Sequence, residues 1–297
     1  MFRKPLNITY TVFILIIAIA SISCKSKKEE VPKVPKRTDV PASFENYWKR
    51  GAMEVTRYEL SQARYGEIIF GEAVMIFSTE FFSRSRQMKT VKKDSKKGDV
   101  IEVLKMVQFK KFMLGAATHS VMNTVYTPVN HREGPYALKL MCSTQEWEGQ
   151  SYSQMNLDAS KYNVQLRSYL ETEGDQNRVV LLTLPEDQLW CTIRINPQDL
   201  PTGDMLLIPG LISQRFRHTD IAAIPAKMQL TKADTSEMSG FDNVMKYTIQ
   251  YTNDDRLLEI YFNNASPHEI YGWKETYKDG EGTKAKKLTS TGVMKKL

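Results

Sequence analysis

The chain is 297 residues long, with a formal net charge of +7 and 41% hydrophobic side chains. The positive excess sits at its ends: residues 25–37 carry +4, residues 278–297 another +4, and residues 38–277 sum to −3, so the basic pI is no argument for nucleic acid. Three cysteines are too few for a small disulfide scaffold.

In chain order, the first element is an export signal. Arg3 and Lys4 precede an apolar run over 12–22, and Ser23 stands before Cys24. About a dozen apolar residues fall short of the roughly 20 that span a bilayer. The segment from Ser21 to Cys24 also resembles a bacterial lipobox, although Ser21 stands where that pattern prefers leucine. The resemblance implies cleavage after Ser23 and diacylation of the Cys24 thiol. Lys27, Lys28, Glu29 and Glu30 resemble the tags that send some lipoproteins to the cell surface, and periplasmic face and surface both stay open. Pro32 and Pro35 stiffen a stretch without helical or strand period. The expected organisation is a signal peptide at 1–23, a lipidated cysteine and flexible linker at 24–43, one β-rich domain at 44–277, and a basic tail at 278–297 that frays.

The body reads as strands: Tyr58–Tyr65, then 67–70 and 72–82 around Gly71, then 100–113, 120–127, Tyr136–Ser143, Gly149–Leu157 and Tyr162–Glu171. Turns fall at 158–161 and 173–176. One short helix is expected over 185–195, started by Pro185 with Glu186 and Asp187 in its first turn, stopped by Asn196-Pro197, and packed on the sheet. Strands resume at 205–208, 212–217, 224–231, 244–251, 257–262 and 270–277. The fold class is mainly β: a large curved antiparallel sheet or half-open barrel. A membrane-spanning barrel is disfavoured by the Gln, Arg, Lys and Asn mixed into 60–65 and 161–168.

Residues that suggest chemistry are few. Lys92, Lys93, Lys96 and Lys97 form the tip of a basic hairpin, either a solvated loop or a contact for an anionic membrane or partner. Cys142 and Cys191 each lie in an apolar stretch; an exported protein permits a disulfide between them, and two small core residues serve equally well. His119, His131, His218 and His268 show no metal-ligand spacing; His131 reads as a polar loop residue and His119 as a satisfied strand-edge residue. In Glu146-Trp147-Glu148 a strand would bury the Trp and wet both acids. No nucleophile motif is present, and the expectation is a non-enzyme without cofactor or metal.

Tyr47-Trp48, Tyr58-Glu-Leu60, Gln62-Ala-Arg-Tyr-Gly-Glu67 and Gly71-Glu-Ala-Val74, with Ser143-Thr-Gln-Glu-Trp147 and Leu200-Pro-Thr-Gly203, resemble a group of Gram-negative envelope lipoproteins of unknown function. The resemblance covers most of the chain after the signal. Some of that group carry the name septum-formation inhibitor, which belongs to nucleotide pyrophosphatases with a Ser-Pro-Arg-Arg motif; that motif is absent here, and the β-rich body does not suit their α/β fold. The layout is also similar to periplasmic carriers of lipids and lipoproteins, by architecture alone. Together these imply an outer-membrane, lipid-anchored protein that binds an apolar ligand, a lipid or an acylated partner. The alternative is an accessory subunit of an envelope complex, and an enzyme of unassigned reaction comes third.

Overall fold

Strict alternation over long hairpins builds the molecule, a computed structural model that describes residues 38–48, 53–90, 98–132, 134–280 and 282–296. These lie in the unit Pro32–Leu297. Cys24, the signal, Lys92, Lys93, Lys96 and Lys97 lie outside the described residues.

After helix α1 (Ala42–Trp48), β1 (Met53–Arg64) turns back into β2 (Glu67–Ser83) through Tyr65 and Gly66, both at positive φ, which is how a two-residue hairpin matches the strand twist. The two-residue β3 (Met88–Lys89) pairs with the end of β2. The meander continues through β4 (Val100–Leu114), β5 (Ala117–Pro128), β6 (Lys139–Gln145), β7 (Gln150–Asp158), β8 (Lys161–Arg167) and β9 (Gln176–Leu181). The short β10 (Leu184–Pro185) leads into helix α2 (Glu186–Ile195) and then β11 (Gly203–Ile208), helix α3 (Leu211–Arg217), β12 (Ile224–Lys232), β13 (Val244–Tyr251), β14 (Leu257–Asn263), β15 (Ile270–Asp279) and β16 (Lys286–Met294). All pairings are antiparallel except β10 with β11, in one 16-stranded sheet ordered β10 through β16, then β1, β2 and β4 through β9.

That order closes on itself. β9 and β10 stand at opposite ends of the sheet yet only Leu182 and Thr183 separate them, and two residues reach no more than about 10 Å. The sheet is therefore rolled into a barrel with a seam beside β9.

What fills the barrel is α2. All ten of its residues are buried, and its side chains meet strands on opposite walls. Trp190 packs edge-on to Trp273 of β15 at 5.8 Å, Cys191 Sγ lies 3.6 Å from Leu104 O of β4, and Arg194 pairs with Glu54 of β1. Gln188 binds the backbone of the 135–137 segment in both directions, at 2.6 and 2.7 Å. Pro185 precedes the helix and Asn196 caps its end, as the sequence predicts. The helix packs on the sheet, as expected, and it does so on the inner face, against the inward rows Met75 and Phe77, Leu104 and Met106, Val121 and Val125, Tyr247 and Ile249. Each large apolar side chain so buried contributes roughly 1.5–3 kcal/mol.

Three expectations are corrected. Residues 212–217 are helix, not strand: α3 starts where Leu211 N–H donates to Asp187 Oδ2 at 2.9 Å, and it ends at His218 in the left-handed region. The folded part begins before Phe44, because Thr38 Oγ1 donates to Asp199 and α1 buries Phe44 and Trp48. The tail 278–297 does not fray: β16 lies between β15 and β1. Its low apolar content misleads because its inward positions need little volume. Ser290 takes hydrogen bonds from Gln62 and from the Ala63 N–H, and Gly292 lies under the Trp273 ring, where a Cβ would come within 2.2 Å.

Outward positions are largely polar, including Lys227, Gln229 and Thr231 on β12 and Lys287, Thr289 and Thr291 on β16, unlike the apolar outer band of a spanning barrel. One apolar patch stands on β1 to β5, where Val55 pairs with Ile76, Val74 with Phe109 and Phe109 with Met122. Among the described residues no helix is long and apolar enough to cross a membrane.

Candidate functional site

The two ends of the barrel differ. β1 runs about 40 Å from one to the other at ~3.3 Å per residue. At its start α1 closes the barrel, with Trp48 against Phe77 and the Arg194 guanidinium 5.3 Å from the Trp48 ring. At its end stands α3, two turns long, and open volume collects around it.

Two clefts flank α3. One, of about 100 Å³, lies along the seam, lined by Cys142, Ser151, Ser153, Gln176, Arg178, Gln214, Arg215 and the segment His218–Ile221, among others. The other, of about 390 Å³, is the mouth itself, between Arg64, Tyr65, Phe216, Arg217, Lys278 and Gly280. His218 lines both.

The charged groups around them form one network. Arg64, almost fully buried, donates to Phe216 O at 2.7 Å and reaches Glu146 at 3.4 Å. Arg215 donates through Nε to Thr144 Oγ1 and through Nη1 to Glu173, and its Nη2 lies 3.7 Å from Glu146. His218 Nδ1 is 2.7 Å from the same Glu173 oxygen. Burial raises the Glu173 carboxyl, but Ser168, His218 and Arg215 outweigh it, and its pKa ends below the usual range. Tyr169 donates to Glu146 at 3.0 Å; burial and then the Glu146 charge push its hydroxyl up to about 12. Arg217 and Asp254 form a bidentate pair at 2.5 and 2.6 Å.

Glu146 was not to be found by period. The expected strand places Trp147 inside and both acids outside; instead 146–149 is the turn between β6 and β7, Trp147 is 69% exposed, and the Glu146 side chain is buried. Gly149 lets that turn pack on the Tyr169 ring, where a Cβ would approach within 2.6 Å. The only legible signal was a pair of acids beside a glycine.

Deeper in the lumen, at the first turn of α2, a second network is enclosed. Arg256 holds Glu186 through both terminal nitrogens and Glu275 through Nε at 2.7 Å, and all three are buried. Tyr251 OH also donates to Glu186. Asp187 is pushed up to about 7, by burial first and then by the Glu186 charge. Burial pulls the Lys110 ammonium down; its Nζ donates to Gln62 Oε1 at 3.2 Å. The space between these groups is about 20 Å³, room for one water. Gly210 carries the chain past this cluster, where a Cβ would meet Glu186 Oε1 at 2.6 Å.

The remaining sequence candidates do not meet at either cleft mouth. Cys142 and Cys191 are both buried free thiols, so no disulfide joins them. Cys142 lines the seam cleft and Cys191 faces β4 from α2. Burial raises both thiols, Cys191 to about 12, so neither is a thiolate at neutral pH. His131, expected as a polar loop residue, is buried, with Nδ1 3.2 Å from Asp199 Oδ2, the oxygen to which Thr38 Oγ1 also donates. His119 points inward and stacks on Phe112 at 5.5 Å, and burial lowers its pKa. Among the described residues no group of three or more His, Cys, Asp or Glu is placed to hold a metal ion.

No protein-family model matches the chain, and no curated protein does. Two solved structures are similar. A β-barrel-like protein of domain of unknown function DUF1849 from Brucella abortus matches with 12% identity over 82% of this chain and 95% of that one, at a TM-score of 0.42. A porin-like protein from Bacteroides uniformis matches with 8% identity over 88% of this chain and 99% of that one, at a TM-score of 0.21. By its own sheet order and register, the chain is a mainly β, barrel-like protein wrapped around a helix.

Proposed function

We propose that this is a lipid-anchored, non-enzymatic binding protein of the bacterial outer membrane, facing the periplasm or the cell surface, with a filled barrel as scaffold and its binding surface at the α3 end. The observation behind the reading is the complete burial of α2 in the lumen, with about 20 Å³ beside it, against clefts of about 100 and 390 Å³ around α3. An apolar guest in the lumen would have to displace α2. That would separate Glu186 from Arg256, at several kcal/mol per buried ion. An apolar ligand, lipid or acylated partner is therefore better placed at the α3 end, and the same surface serves an accessory subunit docking on a protein. The anchor rests on the export signal, Cys24 and the resemblance to envelope lipoproteins. The described residues begin at the opposite end, where Thr38 meets Asp199.

The test is mass spectrometry of the full chain made in a Gram-negative host. Intact mass should show a diacylglyceryl group on the wild type and none on Cys24→Ser. In native spectra a further bound lipid should survive enlargement of Leu189 or Ile193 to Trp. A tightly held lipid that is lost when Leu189 or Ile193 is enlarged to Trp would place the ligand in the lumen and overturn the reading.

A further inference from the structure

β9 is the last strand of the sheet and has only β8 as a partner. The ladder's parity says which of its backbone groups are unused. Leu182 N–H donates to Ser160 O, directly opposite, and the register Lys161 to Leu181 continues that ladder. In an antiparallel pair, hydrogen-bonded and non-bonded positions alternate. Gln176, Arg178 and Val180 therefore bond to β8, while Asn177 and Val179 turn both N–H and C=O toward the open edge. Their outward side is apolar as well: Val179 is 55% and Leu181 77% exposed. Such an edge templates an added strand. On the inner side of the same strand, Gln176 and Arg178 line the seam cleft.

We propose that the seam accepts an extended segment of a partner protein by strand addition to β9, and that the segment carries an acidic residue between apolar ones. This rests on the reading that binding takes place at the α3 end. The acidic residue is called for by charge. Across the seam Arg178 is paired at 3.1 Å with Asp220, whose side chain is 77% exposed, a pair of little stability. A strand entering the seam parts Arg178 from Asp220, and a carboxylate on the inward face of that strand replaces it. Arg215 on the far wall is of the same sign. Neighbouring outward residues of the strand cover Val179 and Leu181. Main-chain hydrogen bonds supply affinity in this mode, and the alternate side chains supply selectivity. A second copy of β9 is disfavoured as occupant, because it would bring its own Arg178 against this one.

The experiment titrates the full chain, in detergent, with a fluorescent capped heptapeptide alternating valine and threonine around a central glutamate, and with the same peptide carrying lysine there. Binding of the glutamate peptide at least tenfold tighter is expected, with slowed amide exchange over 176–181. Arg178→Glu should reverse the preference, which a merely structural role would not do. Val179→Pro removes the outward donor while sparing the β8 ladder and should abolish binding of both; Leu181→Lys, which leaves the backbone unchanged, should weaken both. Equal binding of the two peptides, binding without protection of β9, or no binding by a protein with a wild-type melting curve would overturn the proposal. The scaffold reading survives each of these and falls only to the lumen lipid described above.

Discussion

At the end closed by α1, Arg194 grips Glu54 with both terminal nitrogens and lies over Trp48 and Phe77. At the α3 end Arg64, Arg215 and His218 share Glu146 and Glu173, with Tyr169 donating as well. Both ends bury ions, and the second has clefts of about 100 and 390 Å³ beside them. At the first, Glu54 has a single cation among the described residues, with Tyr47 OH donating to it at 2.9 Å, so removing Arg194 leaves the carboxylate without an ion partner. A shared network tolerates the loss of one member, and its outer groups, Glu173 and His218, are in reach of solvent at the clefts.

Substitutions that compare the ends should separate these roles. The largest effect expected is for Arg194→Met, about 3–5 kcal/mol of stability in urea unfolding, because Glu54 is left without its ion partner. A loss below about 1 kcal/mol would make the closed end no different from a surface pair. Second is the pH dependence of the cluster between the ends. Asp187 sits at about 7 in the folded protein against ~3.9 unfolded, so the unfolded chain gives up its proton first as pH rises. Its contribution is fully present below about pH 4, falls by up to ~1.4 kcal/mol per pH unit toward 7, and is flat above. The stability difference between wild type and Asp187→Asn should therefore widen against the wild type from pH 4 to 7; a constant difference would place the proton elsewhere. Third, Arg215→Met should cost roughly 1.5 kcal/mol, since Glu146 keeps Arg64 and Tyr169 and Glu173 keeps His218. A loss equal to that of Arg194→Met would mean that the two ends are built alike. The smallest effect is for Asp220→Asn, within about 1 kcal/mol in thermal unfolding; a larger one would make the seam a structural joint instead of an entrance.

The strands were legible where one face is wet. Residues 244–251 alternate clearly because Tyr247, Ile249 and Tyr251 are buried inside while Lys246, Thr248 and Gln250 lie on the wetter outer row. The same rule failed for 212–217, where Ile212, Phe216 and the arginines suit either period, and what decides is an N–H donated to a carboxylate 24 positions upstream. It failed for β16 because Ser290 and Gly292 are inside for shape and hydrogen bonding, which hydropathy does not register. Of the candidate site, the acids and arginines were visible as residues, but their meeting depends on turns between distant strands.

From local chemistry alone follow the export signal and its cysteine as an expectation, the mainly β class, most strand positions, and α2 with both of its boundaries. These depend on short-range period, proline and capping, which act within a turn or two. Where α2 lies, which acids are buried, that the tail is a central strand and that β9 is left open were decided by the tertiary structure. The reason is that the order of strands is set by how a twisting sheet rolls up around an enclosed helix, so pairs such as Glu146 with Arg64 or Arg256 with Glu186 exist only once the barrel has closed.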